Sequence, residues 1–252
     1  MSSSTFVRIE KALEYIHQHL DEPINVAQLA EKSSWSRWQF QRVFGVATGL
    51  TVAQYVRELR LSKAAELLLN TPTKHIDVAI ACGFESEISF SRAFKQMFQC
   101  SPREYRQRGK RVGLRTPLKH CIAKRNWQRP TEFPQIRIET RPAFHLMGHN
   151  DWILGPFSKT PNFSHQVPKV WRDFATKYPE HVSELIKSPM GVIDTREREG
   201  RPEELLYWAG YPIEETSGEH ILTIPEQEYA VIPVQGEVSA LESAIEWFFF
   251  HW

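Results

Sequence analysis

A chain of 252 residues, 41% hydrophobic and 24% charged, has the make-up of a globular protein of one or two domains. No run of eighteen apolar residues occurs, which argues against a membrane-spanning helix, and the amphipathic opening MSSSTFVRIEKALEYIHQHL lacks the apolar core of a signal peptide. The net charge of +1 hides an asymmetry: residues 1–129 hold 21 Lys and Arg against 11 Asp and Glu, and residues 130–252 hold 10 against 19. Halves of opposite sign point to two modules with different partners, the first suited to a polyanion. Cys82, Cys100 and Cys121 have no CxxC spacing, so they read as free thiols in a reducing compartment.

Along the chain, Ile9, Leu13, Ile16 and Leu20 recur at helical spacing and predict a first helix ending before Pro23. Asn25 is placed to cap a short second helix. Then comes WSRWQFQRVF at 35–44, whose pattern x-S-x-x-x-F-x-R-x-F returns as ESEISFSRAF at 85–94. Ser36 reads as the N-cap of a third helix, with Gln39 as its capping-box partner and Trp35 against Phe40 as a staple. Phe40, Val43 and Phe44 share the inward face, while Arg37, Trp38, Gln41 and Arg42 lie outward or in the first turn. TVAQYVRELRLSKAAELLLNTP predicts a longer helix, capped by Thr51 and stopped before Pro72. HIDVAIACGF predicts a short one with Gly83 as its stop. Ser86 then caps the second copy: Phe90, Ala93, Phe94 and Met97 point in, and Glu87, Ile88, Ser89, Ser91 and Arg92 point out.

A short helix, a turn, and a helix with an exposed Gln/Arg face is a helix-turn-helix, and the chain carries two. Arg presents a planar fork that matches the O6/N7 edge of guanine, Gln matches the N6/N7 edge of adenine, and an apolar edge meets the thymine methyl. The connecting helix, roughly 18 residues and about 27 Å long, can hold both recognition helices near the ~34 Å that separates successive major-groove turns. The repeat thus lets one chain read two half-sites without dimerising. A helical bundle with solvated arginines explains a single copy of the motif as well, but not two.

The first half resembles the AraC/XylS family of bacterial transcription regulators, within it the MarA, SoxS and Rob group. The resemblance is carried by SRWQFQRVF, YVRELRLSKAAELL, DVAIACGFESEISFSRAFKQMF and SPREYRQ, which span about residues 6–108. It implies that Arg37, Trp38, Gln41 and Arg42 enter one major groove and that Glu87, Ile88, Ser89, Ser91 and Arg92 face the next. Ser34 stands where the family's first turn usually has Gly, which predicts slight strain there. Glu87 and Ile88 replace the polar pair usual in the group, so the promoter set does not carry over.

The second half opens on RPTEFPQIRIETRPAFHLMGH, which has Pro punctuation and then alternates like strands. VPKVWRDFATKYPEH predicts a helix, MGVIDTREREGRPEELLYWAGYPI strands around a polar turn, PEQEYAVIPVQGEV a strand, and SALESAIEWFFFHW a helix capped by Ser239. This order resembles a GyrI-like effector domain, ending after EWFFFHW and so incomplete by analogy with that fold. The predicted architecture is therefore multi-domain: an all-α double helix-turn-helix domain over 1–112, a basic linker over 113–132, and an α+β domain over 133–252. Related domains bind amphipathic, often cationic molecules. Trp152, Trp171, Tyr207, Trp208 and Trp247 are the candidate effector contacts, because aromatic faces beside a carboxylate suit a cation.

His145 and His149 lie four apart in strand context, which does not suit a metal pair. No nucleophile elbow, phosphate loop or dinucleotide fingerprint occurs, so no catalytic residue, metal or cofactor is assigned. The favoured function is a sequence-specific regulator, an activator, that binds promoter DNA and RNA polymerase at the bacterial nucleoid in the cytoplasm and answers to an amphipathic effector. The alternatives are a drug-sequestering or small-molecule-hydrolysing GyrI-like protein with a DNA-binding module, and a nonspecific architectural DNA binder.

Overall fold

The protein is described by a computed structural model covering residues 3–119, 135–155, 158–196, 203–214 and 220–234, with 241, 244, 245 and 247–249 nearer the C-terminus. In chain order the elements are α1 (Ser3–Gln18), α2 (Val26–Lys32), α3 (Arg37–Thr48), α4 (Val52–Asn70), α5 (His75–Ala81), α6 (Glu87–Phe98), α7 (Pro102–Arg108), β1 (Leu114–Arg115), β2 (Arg137–Arg141) and β3 (Phe144–Leu154). They continue with α8 (Phe163–Lys177), a 3-10 turn (Pro179–His181), α9 (Val182–Lys187), β4 (Met190–Asp194), β5 (Glu204–Ile213), β6 (Ile221–Ile224) and β7 (Gln227–Val231). Two compact units result: one from Met1–Ile122, Gln128–Thr140 and Glu228–Gln235, another from Ala123–Trp127, Arg141–Gln227 and Gly236–Trp252.

Helix boundaries in the first unit have local causes. Asn25 Oδ1 accepts from Ala27 N at 2.8 Å and starts α2. Thr51 and Gln54 form a complete capping box at α4, as Ser101 and Glu104 do at α7. At α3 the Ser36 hydroxyl accepts from Gln39 N at 3.2 Å, which is the serine's half of the expected box.

α4 is the axis of this unit. Its first half buries Val52, Tyr55, Val56 and Leu59 with Ile9, Leu13, Ile16, Phe40 and Phe44. Its second half buries Leu61, Ala64, Ala65 and Leu68 with Val78, Phe90, Phe94, Phe98 and Tyr105. The two clusters share no residue. A small sheet in the order β1-β2-β7 completes the unit, with Leu114 opposite Ile138. Residues 112–118 are tied to α7 and along α4: Tyr105 Oη of α7 donates to Val112 O at 3.1 Å, Arg115 N donates to Ser62 Oγ at 2.8 Å, and Leu118 N donates to Tyr55 Oη at 2.9 Å. Leu114 joins the second cluster and Leu118 the first. Cys121 and residues 120–132 of the predicted linker lie outside the described residues.

Tyr55 Oη also shares a hydrogen bond with His17 Nε2, 2.5 Å away, and burial holds the His17 imidazole below its ordinary pKa. An unfolded chain, with its histidine near the usual value of about 6.5, takes up the proton first as the medium acidifies. The stabilisation from neutral His17 is therefore full above that value and is lost as pH falls through it toward the lower folded pKa. We expect the urea midpoint to drop on going from about pH 7.5 to about pH 5, and to drop less in His17→Gln. Identical pH slopes for both proteins would contradict this.

The second unit is an antiparallel sheet in the order β4-β5-β3-β6. α8 covers one face, packing Phe163, Val167 and Val170 on Ile153, Leu205, Tyr207 and Ala209. Phe174 of α8 packs with Leu185 of α9 and Tyr211. Gly191 is forced by this packing, since a Cβ there would sit 2.1 Å from Tyr207 Oη. α8 begins at Phe163, ahead of the predicted start at Val167, so Pro168 lies inside the helix without an N–H for its helical bond. The buried Phe163 anchors that extra turn. α9 and the four-residue β6 were not foreseen, because segments this short carry too few residues for a period. Ser239, Phe250 and Trp252 lie outside the described residues, while Ala244 and Trp247 are buried and Phe249 is exposed. Among the described residues no helix is long and apolar enough to cross a membrane.

Candidate nucleic-acid interface

Two turns with one hydrogen-bond pattern position α3 and α6. After α2, Ser34 N donates to Glu31 O and Trp35 N to Ala30 O, at 2.9 and 3.0 Å. After α5, Gly83 N donates to Ile80 O and Phe84 N to Ala79 O, at 2.9 and 3.0 Å. This is the glycine-type helix stop, in which the residue after the cap turns left-handed. Gly83 has φ +73°, and Ser34 takes the same role at φ +54°. The expected strain at Ser34 is thus real backbone strain, since a side chain in this region is disfavoured. Ser34→Gly should raise stability by about 0.5–1 kcal/mol, the relief of strain being partly offset by glycine's unfolded-state entropy. A denaturant midpoint that falls would contradict this.

Each turn delivers an aromatic residue that braces the next helix. Trp35 lies 6.4 Å from Phe40, centroid to centroid, and Phe84 lies 5.3 Å from Phe90. Inward positions are fully buried: Phe40 and Phe44 on α3, Phe90 and Phe94 on α6. With those faces fixed, the opposite faces follow. Arg37, Trp38, Gln41 and Arg42 of α3 are exposed. So are Glu87, Ile88, Ser89 and Arg92 of α6, while Ser91 is half-buried. The nine residues singled out from sequence therefore form two clusters, one on each helix.

Exposed apolar side chains stand among these polar groups. Trp38 is 69% exposed and Ile88 76% exposed, at the outward face of each helix. Such side chains lose hydration readily against an apolar partner such as a thymine methyl. The Arg42 guanidinium sits over the Trp38 ring, 5.5 Å from its centroid, so the ring braces it on the outward face of α3. A cleft of about 610 Å³ runs beside Trp38, Gln41 and Arg42, bounded by Val26, Gly45, Gly49 and the first turn of α4. The N–H groups of a helix start favour a phosphate. Glu87 lies in the first turn of α6, where a carboxylate repels phosphate but accepts from cytosine N4.

Four of the five aromatic candidates of the second unit divide between the two sheet faces. Trp171 Nε1 donates to Tyr207 Oη at 3.0 Å within the core between α8 and the sheet. Trp152 and Trp208 belong to the other face: Asn150 pairs with Trp208 and Trp152 with Leu206, which sets the two tryptophans diagonally on neighbouring strands. The Trp208 indole N–H is buried with no hydrogen-bond partner among the described residues. Trp247 is buried in the C-terminal helical segment. Asp194, the one buried carboxylate among the described residues, lies on this same face and is held by Arg196, Nε to Oδ1 at 2.9 Å and Nη2 to Oδ2 at 2.7 Å. Those bonds keep its carboxyl below the usual range, hence ionised. His145 Nδ1 meets Thr223 Oγ1 at 3.0 Å, and His149 Nε2 meets Lys177 Nζ at 3.1 Å.

Comparison with known proteins finds two separate matches along the chain. The family described as "Helix-turn-helix domain" matches residues 29–108, and that described as "Integron-associated effector binding protein" matches residues 137–252. The chain is similar to the transcriptional regulator Rob of Salmonella typhimurium, with 28% identity over 239 residues that make up 90% of this chain and 78% of that protein. It is similar to the regulatory protein SoxS of Salmonella typhimurium, with 38% identity over 100 residues, 40% of this chain and 94% of that protein. Among solved structures, an AraC-type transcriptional regulator from Chromobacterium violaceum aligns over 43% of this chain and 96% of its own, at 29% identity and a TM-score of 0.40.

Proposed function

The chain belongs to the AraC-type family of helix-turn-helix transcription regulators, in the group with Rob and SoxS, and from that premise we propose that one chain reads a bipartite promoter site with α3 and α6 in successive major grooves. It is a DNA-binding regulator with an effector-binding second half. The observation that carries the two-groove reading is the pairing of two exposed helices, each seated on its own core along one connecting helix. Arg37, Trp38, Gln41 and Arg42 act in one groove, and Glu87, Ile88, Ser89, Ser91 and Arg92 in the other. Arg42 and Arg92, which occupy the same position of the repeated pattern, are the guanine readers of the two half-sites.

The protein works as an activator that contacts RNA polymerase in the bacterial cytoplasm, at the nucleoid. Its second unit takes an amphipathic molecule. Of the five aromatics, Trp152 and Trp208 are the contact pair, because they share a sheet face with the buried carboxylate of Asp194. Rob and SoxS are regulators, and this chain acts in regulation rather than catalysis. Selection of random duplexes by the purified chain tests the DNA reading. We expect a consensus of two blocks about 10 base pairs apart, one helical turn. A consensus of one block, or none, would contradict it.

A further inference from the structure

Arg60 sits where α4 passes from one core to the other. Leu59 belongs to the first buried cluster and Leu61 to the second. Between them the Arg60 side chain leaves the helix and spreads its guanidinium over three backbone carbonyls. Nε donates to Leu20 O at 2.7 Å and Nη2 to Glu22 O at 2.6 Å. Nη1 donates to Gly83 O at 3.1 Å. Leu20 and Glu22 lie in the connection between α1 and α2, in the half that carries α3. Gly83 is the left-handed residue of the turn that launches α6. A Cβ at Gly83 would lie 2.9 Å from Arg60 Cζ, so glycine is needed there for close approach as well as for φ.

The joint is tied on its other side too. Residues 112–118 bond Tyr55 and Ser62, which lie about 140–160° around α4 from Arg60 at 100° per residue. The two halves are thus held on opposite sides of one helix, by a strand on one side and by one arginine on the other.

We propose that Arg60 is a positioning residue that fixes the spacing and angle between the two recognition helices, and so sets which half-site separation the protein accepts. The proposal rests on the two-groove reading above. Its physical basis is the geometry of the duplex. Moving one half-site by a single base pair displaces it about 3.4 Å along the axis and about 34° around it. α4 and residues 112–118 cross the joint on one side, and the α1–α2 connection and the Gly83 turn can still shift by such an amount unless something spans the other. A fork with three fixed acceptors in two halves spans it, and its planarity resists twisting in a way that a single ammonium cannot.

The test uses the full chain and the duplex chosen by selection, in versions with the separation shortened, unchanged and lengthened by one base pair, and duplexes bearing either half-site alone. For the unaltered protein we expect affinity to fall about tenfold or more at either changed separation, the scale of a lost bidentate base contact. Arg60→Met keeps the apolar stem and removes the donors. It should bind the native separation about tenfold more weakly, and its penalty for the altered separations should shrink to about threefold or less. Binding to each half-site alone should be unchanged. Arg60→Lys, which restores one donor group at a time and disturbs folding least, should fall between the two. The proposal is overturned if either variant keeps the full spacing penalty with unaltered affinity, or if the half-site duplexes lose affinity in step with the full site. If the unaltered protein shows no dependence on separation while selecting a specific sequence, the two-groove reading itself fails, and the proposal with it.

Discussion

Phe94→Ala is expected to destabilise the protein by about 3–5 kcal/mol, the range for removing a fully buried phenylalanine. The ring has no exposure and sits among Phe90 at 5.4 Å, Phe98 at 4.5 Å and Tyr105 at 5.4 Å between centroids. These neighbours are themselves locked: Phe90 and Tyr105 are fully buried, and Tyr105 is fixed by its hydrogen bonds to Val112. The cavity cannot collapse cheaply, which puts the cost toward the upper end. Because the two buried clusters share no residue, the loss should fall mainly on the second. Amide exchange should speed up through α5, α6 and α7 and stay slow in α1 and α3. Equal acceleration in both halves, or a cost under about 1 kcal/mol, would contradict the description of two cores along one helix.

Arg42→Ala and Arg92→Ala are each expected to cost about 1–3 kcal/mol on the selected site and to relax base preference at one position. Both guanidiniums are exposed on helices whose opposite faces are completely buried, so neither substitution should unfold the protein. The two cases differ in one respect. Arg42 is braced by Trp38, so Trp38→Ala should reproduce part of the Arg42 loss. Binding to random duplex DNA should change little, since that affinity comes from phosphate contacts spread over many cations. Equal losses on selected and random DNA would make these arginines phosphate anchors, and the reading of bases would have to be assigned elsewhere.

Much of the first unit was legible because its signals are local. Ser36 and Ser86 cap helices from three residues away, and the alternation of Phe40, Phe44, Phe90 and Phe94 with arginines and glutamine fixes the buried and exposed faces within one or two turns. The strained turn at Ser34 was anticipated only through the family resemblance, which puts Gly at that position. Arg60 could not be anticipated, because its three acceptors lie 23 to 40 residues away and nothing adjacent in sequence distinguishes it from a solvated arginine. The same holds for residues 112–118, whose basic composition reads as a linker but whose backbone is bound by side chains as far away as Tyr55.

In the second unit the alternation was readable into the start of β3, the long apolar run of β5 read as a strand beside a polar turn, and the short β6 and α9 gave no signal. Aromatic content singled out residues without distinguishing the faces they occupy. The division of Trp152 and Trp208 from Trp171 and Tyr207 depends on the register of β3 against β5, which only the folded chain supplies.

The central claim is that the internal repeat does the work of a dimer, so the mass of the complex on the selected duplex tests it most directly. Sedimentation equilibrium with the duplex held below the protein concentration should give one chain of 29.4 kDa per bipartite site. That ratio should persist as protein is raised well past saturation, because α3 and α6 of one chain would already fill both grooves. A complex that forms only with two chains on a site of this length would contradict the account.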